Sequence, residues 1–390
     1  MNIFKNRKNR NLLFILSVVS LLFLSCSNDA TLKNIEQDIS DLKSEYAPDT
    51  RVARFEIEVD KSDDTYILSG HTTSLKARDA LLKKLDADAV VYKDKIISYP
   101  DSTVGNQSFG IVNLSACNIR SAPKHSAELA TQELLGTILT ILSKSGEWYL
   151  VQTPNKYIGW LDHGGFIRVT DTQLKNFRSQ EKVQFNQPVG WVYAKADMSS
   201  EVVSDIVAGS QVVDLKNTIG LFSEIELPDG RRGFIQSANT ISITDEIGES
   251  IIYTAQKFMG VPYLWGGTSS KGFDCSGYTK TMYALNGYLL PRDASQQVNA
   301  GELINTDKSW KNLIPGDLLF FGSYRDDGSE RITHVAIYMG DGKIIHAAGR
   351  VKVESLNPND PNFAKDRYET FIKAKRMVSE NQPLESVLSI

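Results

Sequence analysis

Gly272-Phe273-Asp274-Cys275-Ser276-Gly277-Tyr278 is the stretch around which this 390-residue chain is organised. Gly266-Gly267 and Thr268 to Gly272 precede it, and an amphipathic helical pattern follows. The spacing predicts a loop and then a helix from Cys275 to Asn286, with the cysteine in its first turn. A thiol at a helix N-terminus meets the positive end of the macrodipole, which favours the thiolate. That placement points to a nucleophile; the other use of such a cysteine is as a buried structural thiol.

A thiol nucleophile needs a base, and the base needs an orienting partner. The last third of the chain holds two histidines. His334 lies in the alternating run Ile332 to Met339, and His346 in Lys343 to Ala348, with Gly340-Asp341-Gly342 between them. Asp-Gly between two such runs is a strong hairpin signal. A hairpin centred on residues 341 and 342, with a bulge, brings the two imidazoles side by side. His334 is then the base, and His346 fixes its tautomer and orientation.

Length implies several domains, and the apolar (41%) and charged (23%) fractions are those of folded globular units. The net charge of -4 is spread along the chain, with no basic stripe, which excludes a nucleic-acid surface. No His/Cys cluster has zinc spacing, and no cofactor is called for. A monomer is expected.

The N-terminus carries Lys5, Arg7, Lys8 and Arg10, then an apolar run from Leu12 to Leu24 too short to span a bilayer comfortably. Leu24-Ser25-Cys26 resembles a bacterial lipobox. That implies a signal peptide over 1–25, a lipidated Cys26, and a protein held to the membrane by lipid; Ser27 leans this to the outer membrane. Of the three cysteines, Cys117 is then expected to be an apolar filler on a strand, with no disulfide to Cys275.

The chain divides as follows. Residues 26–50 are polar and read as a tether, with a helical patch near Ile35 to Leu42 and a break at Pro48. Residues 51–105 form a small α+β module: strands at Val52 to Val59 and Thr65 to Ser69, a helix through Leu85, and a hairpin around Lys93-Asp94-Lys95. His71 reads as a turn residue. Short strands with turn signals then fill 106–172, and 180–245 repeats them: Ser126 to Thr137 aligns with Ser199 to Ser210. Asn118-Ile119-Arg120, Pro123, Trp148 and Gly159-Trp160 resemble the bacterial SH3-like domains of cell-wall enzymes. The second copy lacks those marks and resembles them by position alone. Residues 246–378 are α+β, opening with a helix from Ile247 to Phe258.

Within that last segment, Pro262-Tyr263-Leu264-Trp265-Gly266-Gly267, Phe273-Asp274-Cys275-Ser276-Gly277, Leu313 to Leu318, Thr333 to Tyr338 and Ile345-His346-Ala347 resemble, in order, the NlpC-type cell-wall cysteine peptidases of the papain-like superfamily. The resemblance implies a multidomain fold: a small α+β N-terminal unit, two SH3-like β-barrels and a C-terminal α+β papain-like catalytic domain. It implies Cys275 as nucleophile, His334 as base, His346 as third polar residue, and Tyr263 beside the oxyanion. Paired barrels ahead of this domain resemble the γ-D-glutamyl-L-diamino-acid endopeptidases, or dipeptidyl-peptidase VI, which act on peptidoglycan peptides with a free N-terminal L-Ala. By that resemblance Asp274, Ser276, Glu128 and Tyr157 bind the N-terminal residue. Asp274 is also a natural helix N-cap, and Glu128 also reads as a solvated loop charge. Two other readings stand beside this one: an endopeptidase on intact peptidoglycan, and a non-catalytic wall-binding lipoprotein.

Overall fold

The structure, a computed structural model, describes residues 29–242 and 251–378. The signal segment, Cys26 and the start of the helix expected from Ile247 lie outside the described residues. Asp29 caps α1 (Ala30–Tyr46) by accepting the Leu32 N–H, and its carboxylate also takes Lys61 and the Tyr66 hydroxyl. Ile35 and Ile39 of α1 are buried with Phe55, Leu68 and Leu81. The expected tether is therefore corrected. From Ala30 it is a helix of the first unit, because its apolar residues four apart have a sheet to cover.

In that unit β1 (Phe55–Ser62) and β2 (Thr65–Thr72) form an antiparallel hairpin. Helix α2 (Leu75–Ala87), capped by Ser74, leads to β3 (Tyr92–Ser98), which runs parallel to β2. The hairpin expected at Lys93-Asp94-Lys95 is thus one continuous strand. Exposure alternates along it, and Asp94 pairs with Arg78 of α2, so the charged triplet is strand periodicity and not a turn. Gly70, read as a strand end, lies inside β2 with φ 117°; a Cβ there would stand 2.0 Å from the Glu56 carbonyl oxygen. His71 is also on β2, stacked on Tyr99.

Barrel 1 comprises β4 (Phe109–Val112), β5 (Ala116–Arg120), β6 (Leu129–Leu134), β7 (Ile138–Ser145), β8 (Trp148–Gln152), β9 (Ile158–Asp162) and β10 (Phe166–Val169), in the order β10-β4-β7-β8-β9-β5-β6. Its core holds Cys117, Ile119, Leu139, Val151 and Leu161. Cys117 is the strand filler expected, a free thiol with no bridge to Cys275. After α3 (Asp171–Ser179), whose Thr170–Gln173 capping box closes its first turn, barrel 2 repeats the pattern. Its strands are β11 (Lys182–Phe185), β12 (Val189–Tyr193), β13 (Val202–Val207), β14 (Gln211–Ile219), β15 (Phe222–Glu226), β16 (Arg232–Gln236) and β17 (Thr240–Ser242). The order, β17-β11-β14-β15-β16-β12-β13, is that of barrel 1 strand for strand. The barrels touch through the Gly136 turn: the Gln211 N–H donates to the Leu135 carbonyl at 2.8 Å, and Leu135 enters the core of barrel 2.

The C-terminal unit begins with α4 (Ile251–Gln256), the short β18 (Thr268–Ser269) and β19 (Gly272–Phe273), and α5 (Cys275–Leu285). Then come α6 (Ala294–Gln297), β20 (Glu302–Ile304), β21 (Leu318–Tyr324), β22 (Glu330–Gly340), β23 (Lys343–Ala348), β24 (Arg350–Ser355), α7 (Lys365–Glu369) and β25 (Phe371–Arg376). The antiparallel sheet runs β20-β25-β21-β22-β23-β24. Asp341 and Gly342 both have positive φ, the two-residue turn that an Asp-Gly hairpin requires. Helix α5 is buried on nearly every side, which corrects the amphipathic reading. One side packs on Val335 and Ile337 of the sheet. The other, with Lys280 and Thr281, is covered by β18 and barrel 1, and its polar groups bond there instead of to water.

Candidate active site

Asp274 is the N-cap of α5, accepting the Gly277 N–H at 2.6 Å, and this fixes Cys275 at the first helical position. The loop before it has to come close. A Cβ on Gly277 would lie 2.0 Å from the Gly267 carbonyl oxygen, and one on Gly266 (φ 79°) would lie 2.2 Å from the Leu129 carbonyl oxygen of barrel 1. Tyr263 is held from both sides. Its N–H donates to Gly349 O beside β24, and it bridges to Phe273 next to the nucleophile.

The two histidines meet as expected, on the diagonal of the β22–β23 hairpin. Ile337 pairs with Ile345 and Tyr338 with Ile344, with a bulge toward Gly340. His334 Nε2 and His346 Nδ1 are 2.7 Å apart, the rings nearly perpendicular, and both side chains are buried. The row continues to a residue the sequence reading missed: His346 Nε2 lies 2.8 Å from Glu354 Oε2 on β24. Hydrogen bonds from His346 and Lys352 hold Glu354 down at about 2, against burial. A carboxylate only accepts, so His346 carries its proton on Nε2. Its Nδ1 then accepts from His334 Nε2–H, which leaves the lone pair of His334 on Nδ1. Glu354 thus fixes both tautomers, and the row presents a base at its far end.

Burial, then the charge of His346 and of Arg367, pushes His334 well below its ordinary value, so its imidazole rests neutral. Burial and the neighbouring Asp274 carboxylate push the Cys275 thiol up to about 11, opposed by backbone hydrogen bonds at Val335 and Ser276. The thiolate expected from the helix terminus is therefore corrected for the substrate-free protein. Desolvation of a nearly enclosed thiol outweighs the dipole, and the resting pair is thiol and imidazole. The backbone of Val335, next to His334 in β22, is against the nucleophile. Burial with the acidic neighbours Cys275 and Asp274 pushes the Tyr263 phenol up to about 12, so it is a protonated donor. A cleft of about 390 Å³ opens here, lined by Tyr263, Thr333, His334, Gly349 and Arg367. A larger cavity of about 730 Å³, between the barrels and the back of α5, reaches neither Cys275 nor the histidines.

Of the residues expected to hold the substrate's N-terminal residue, Asp274, Ser276 and Tyr157 gather round one buried guanidinium, Arg292, and Glu128 stands apart from them. Asp274 is occupied: Arg292, fully buried, grips it at 2.6 and 3.2 Å, and the Gly266 N–H adds a further bond at 3.0 Å. The same guanidinium donates to Ser276 Oγ and to Thr131 Oγ1 of barrel 1. Arg292 thus ties Asp274 and Ser276 into the frame under the helix. Tyr157 is buried beside Asp293. Asp293 in turn takes Arg51 of the N-terminal unit at 2.6 Å, while Asp49 binds Arg51 and Gln296. Of the four, Glu128 is the one at the surface; it accepts the Trp265 indole N–H at 2.6 Å, and Trp265 is largely exposed beside the Tyr263 loop. Arg292, Asp293 and Arg51 were missed because each meets its partner from eighteen or more residues away; Glu354, eight residues from His346, was missed because it alternates with Arg350 and Lys352 like the wet face of an edge strand. Among the described residues no group of three or more His, Cys, Asp or Glu side chains is placed to hold a metal ion.

A thiol at a helix start, backed by a two-histidine row on an adjoining antiparallel sheet, defines a papain-like thiol peptidase. Residues 260–370 match the NlpC/P60 family, and residues 119–165 match the bacterial dipeptidyl-peptidase Sh3 domain. The chain is similar to the gamma-D-glutamyl-L-lysine dipeptidyl-peptidase of Bacillus subtilis (strain 168), 31% identical over 249 residues, which are 61% of this chain and 79% of the relative. It is 28% identical over 276 residues to dipeptidyl-peptidase 6 of Lysinibacillus sphaericus, covering 66% of this chain and 94% of that protein. An NlpC/P60 family crystal structure from Bacillus cereus ATCC 10987 superposes with a TM-score of 0.59 at 23% identity, over 70% of this chain and 100% of that one, and so shares the fold. The chain belongs to the NlpC/P60 family; it is a cysteine peptidase of the cell wall.

Proposed function

We propose that the enzyme hydrolyses the γ-D-Glu–diamino acid bond of peptidoglycan-derived peptides whose N-terminal L-Ala is free, releasing L-Ala-γ-D-Glu. The observation that carries this is barrel 1 standing against the Tyr263 to Gly267 loop that leads to Cys275. Its Glu128 is bonded to Trp265, with one carboxylate oxygen left for a substrate ammonium. The names of the two relatives point the same way. His334 Nδ1 takes the Cys275 proton as the sulfur attacks the γ-carbonyl carbon. The Cys275 N–H and the Tyr263 hydroxyl donate to the oxyanion, a kind of contact whose loss typically costs ~100-fold or more in rate. His334 then gives the proton to the departing amine, and water hydrolyses the thioester.

Defined tri- and tetrapeptides, with and without N-acylation, test this by mass spectrometry of the products. Wild type should release L-Ala-γ-D-Glu from free-amine peptides, and Cys275→Ala should release none while keeping its circular dichroism. Equal cleavage of N-acyl muramyl peptides would favour the endopeptidase on intact wall. Release by Cys275→Ala would remove the thiol from the mechanism.

Lipid anchoring through Cys26 belongs to the same proposal. Asp29, three residues on, is already fixed to Lys61 and Tyr66, so an acylated Cys26 would hold the folded body close to the lipid surface. Cys26→Ala should move the protein from the membrane to the soluble fraction; an unchanged distribution would end the idea.

A further inference from the structure

Among the described residues lining the 390 Å³ cleft, Arg367 carries the only formal charge. It sits on α7, half-buried, with its guanidinium over the Phe321 ring at 6.0 Å. Its ion-pair partner is Asp366 at 3.2 Å, a side chain 75% exposed. Such a pair is weak and water-screened, and it leaves most of the five guanidinium donors for another acceptor. None of the described residues lining the cleft is a carboxylate that could receive them. Arg367 is also near enough to His334 for its charge to contribute to holding the imidazole neutral.

We infer that Arg367 binds a carboxylate of the leaving diamino acid and so sets the enzyme's preference among its substrates; this rests on the reaction proposed above. The chemistry of the leaving group fixes the side. His334 delivers its proton to the departing nitrogen, so the residue bearing that nitrogen occupies the His334 end of the cleft. Its α-carboxylate carbon lies about 2.5 Å from that nitrogen, two bonds away. A guanidinium beside the imidazole therefore meets the carboxylate of a peptide that ends at the diamino acid, and planar bidentate pairing suits it. A further residue on that carboxyl turns it into a neutral amide. The enzyme then reads both ends of a short zwitterion: ammonium at Glu128 of barrel 1, carboxylate at Arg367 in the cleft. A diamino acid with a side-chain carboxylate offers the same chemistry from a second place.

The full-length enzyme is assayed on L-Ala-γ-D-Glu-L-Lys, its α-carboxamide, and the α-carboxamide with meso-diaminopimelate in place of lysine. Wild type should lose roughly ten- to hundred-fold in kcat/KM on the lysine carboxamide, mostly through KM. Arg367→Gln should lose the same factor on the free acid and nothing more on the amide, and Arg367→Lys should recover part of it. Recovery of wild-type activity on the diaminopimelate amide assigns the side-chain carboxylate; its failure assigns the α-carboxylate. Equal use of acid and amide by wild type, or an equal loss on both in Arg367→Gln, overturns the inference. No L-Ala-γ-D-Glu from any of the three with wild type would instead strike the reaction itself.

Discussion

Barrel 1 and barrel 2 are one design used twice. Ala116 pairs with Leu134 in the first and Val189 with Val207 in the second, 73 residues on, and each sheet slips register at the matching place. Yet their corresponding strands, β6 and β13, do different things. On β6, Thr131 takes Arg292, Gln132 takes the Thr268 N–H and Ser269, and Glu133 takes Lys280, all buried; Glu128, just ahead of the strand, takes Trp265. On β13 the matching positions are Ser204, Asp205 and Ile206. Ile206 has gone into the barrel's own core, and Asp205 meets the catalytic domain at the half-exposed Lys271. Register and strand order make a barrel; the side chains of one strand decide how deeply it is built into the catalytic domain.

The largest effect should separate the two ion pairs. Glu133→Ala leaves the Lys280 ammonium buried without its partner, a loss of about 3–5 kcal/mol. Asp205→Ala leaves Lys271 beside water and should cost about 1 kcal/mol or less. Equal shifts in urea denaturation would break the comparison. Next, Glu128→Gln should lower kcat/KM on a free-amine tripeptide roughly ten- to hundred-fold. Glu201→Gln, at the matching place in barrel 2, should stay within about twofold, since its contacts end at the surface. A barrel-2 defect as large as the barrel-1 defect would give both barrels a share of the substrate.

The smallest effect lies in pH. Burial raises Asp205, yet hydrogen bonds from Lys271 and Ser115 prevail and hold its carboxyl below the usual range. A carboxyl depressed by folding stabilises fully above its unfolded value of ~3.9, and that contribution is lost as pH falls below it. Asp205→Asn should therefore melt slightly below wild type at pH 7 and converge with it toward pH 3. A gap independent of pH would show that the clamp is not ionic.

Legibility in the sequence followed distance along the chain. The Cys275 thiol, its N-cap, the histidine hairpin and the repeat were open to reading because each is local: a helix start, an Asp-Gly turn, a period of strands. Glu354 was not, since Arg350, Lys352 and Glu354 alternate like the wet face of any edge strand. Asp274 is legible as an N-cap; its pairing with Arg292, eighteen residues away, is not. Lys280 and Thr281 look like a solvent face until barrel 1 covers them.

The sequence by itself determined the class of fold, the duplicated barrel, the thiol at the helix start and the paired histidines, because periodicity and short motifs are written into neighbouring residues. Tertiary structure alone decided which polar groups meet: Arg292 with Asp274, Arg51 with Asp293, Lys280 with Glu133, Glu354 with His346. It also decided that Cys275 rests as a thiol. Both depend on which groups are withdrawn from water together. Desolvation and pairing are properties of the packed chain, set by residues that approach one another only once it has folded.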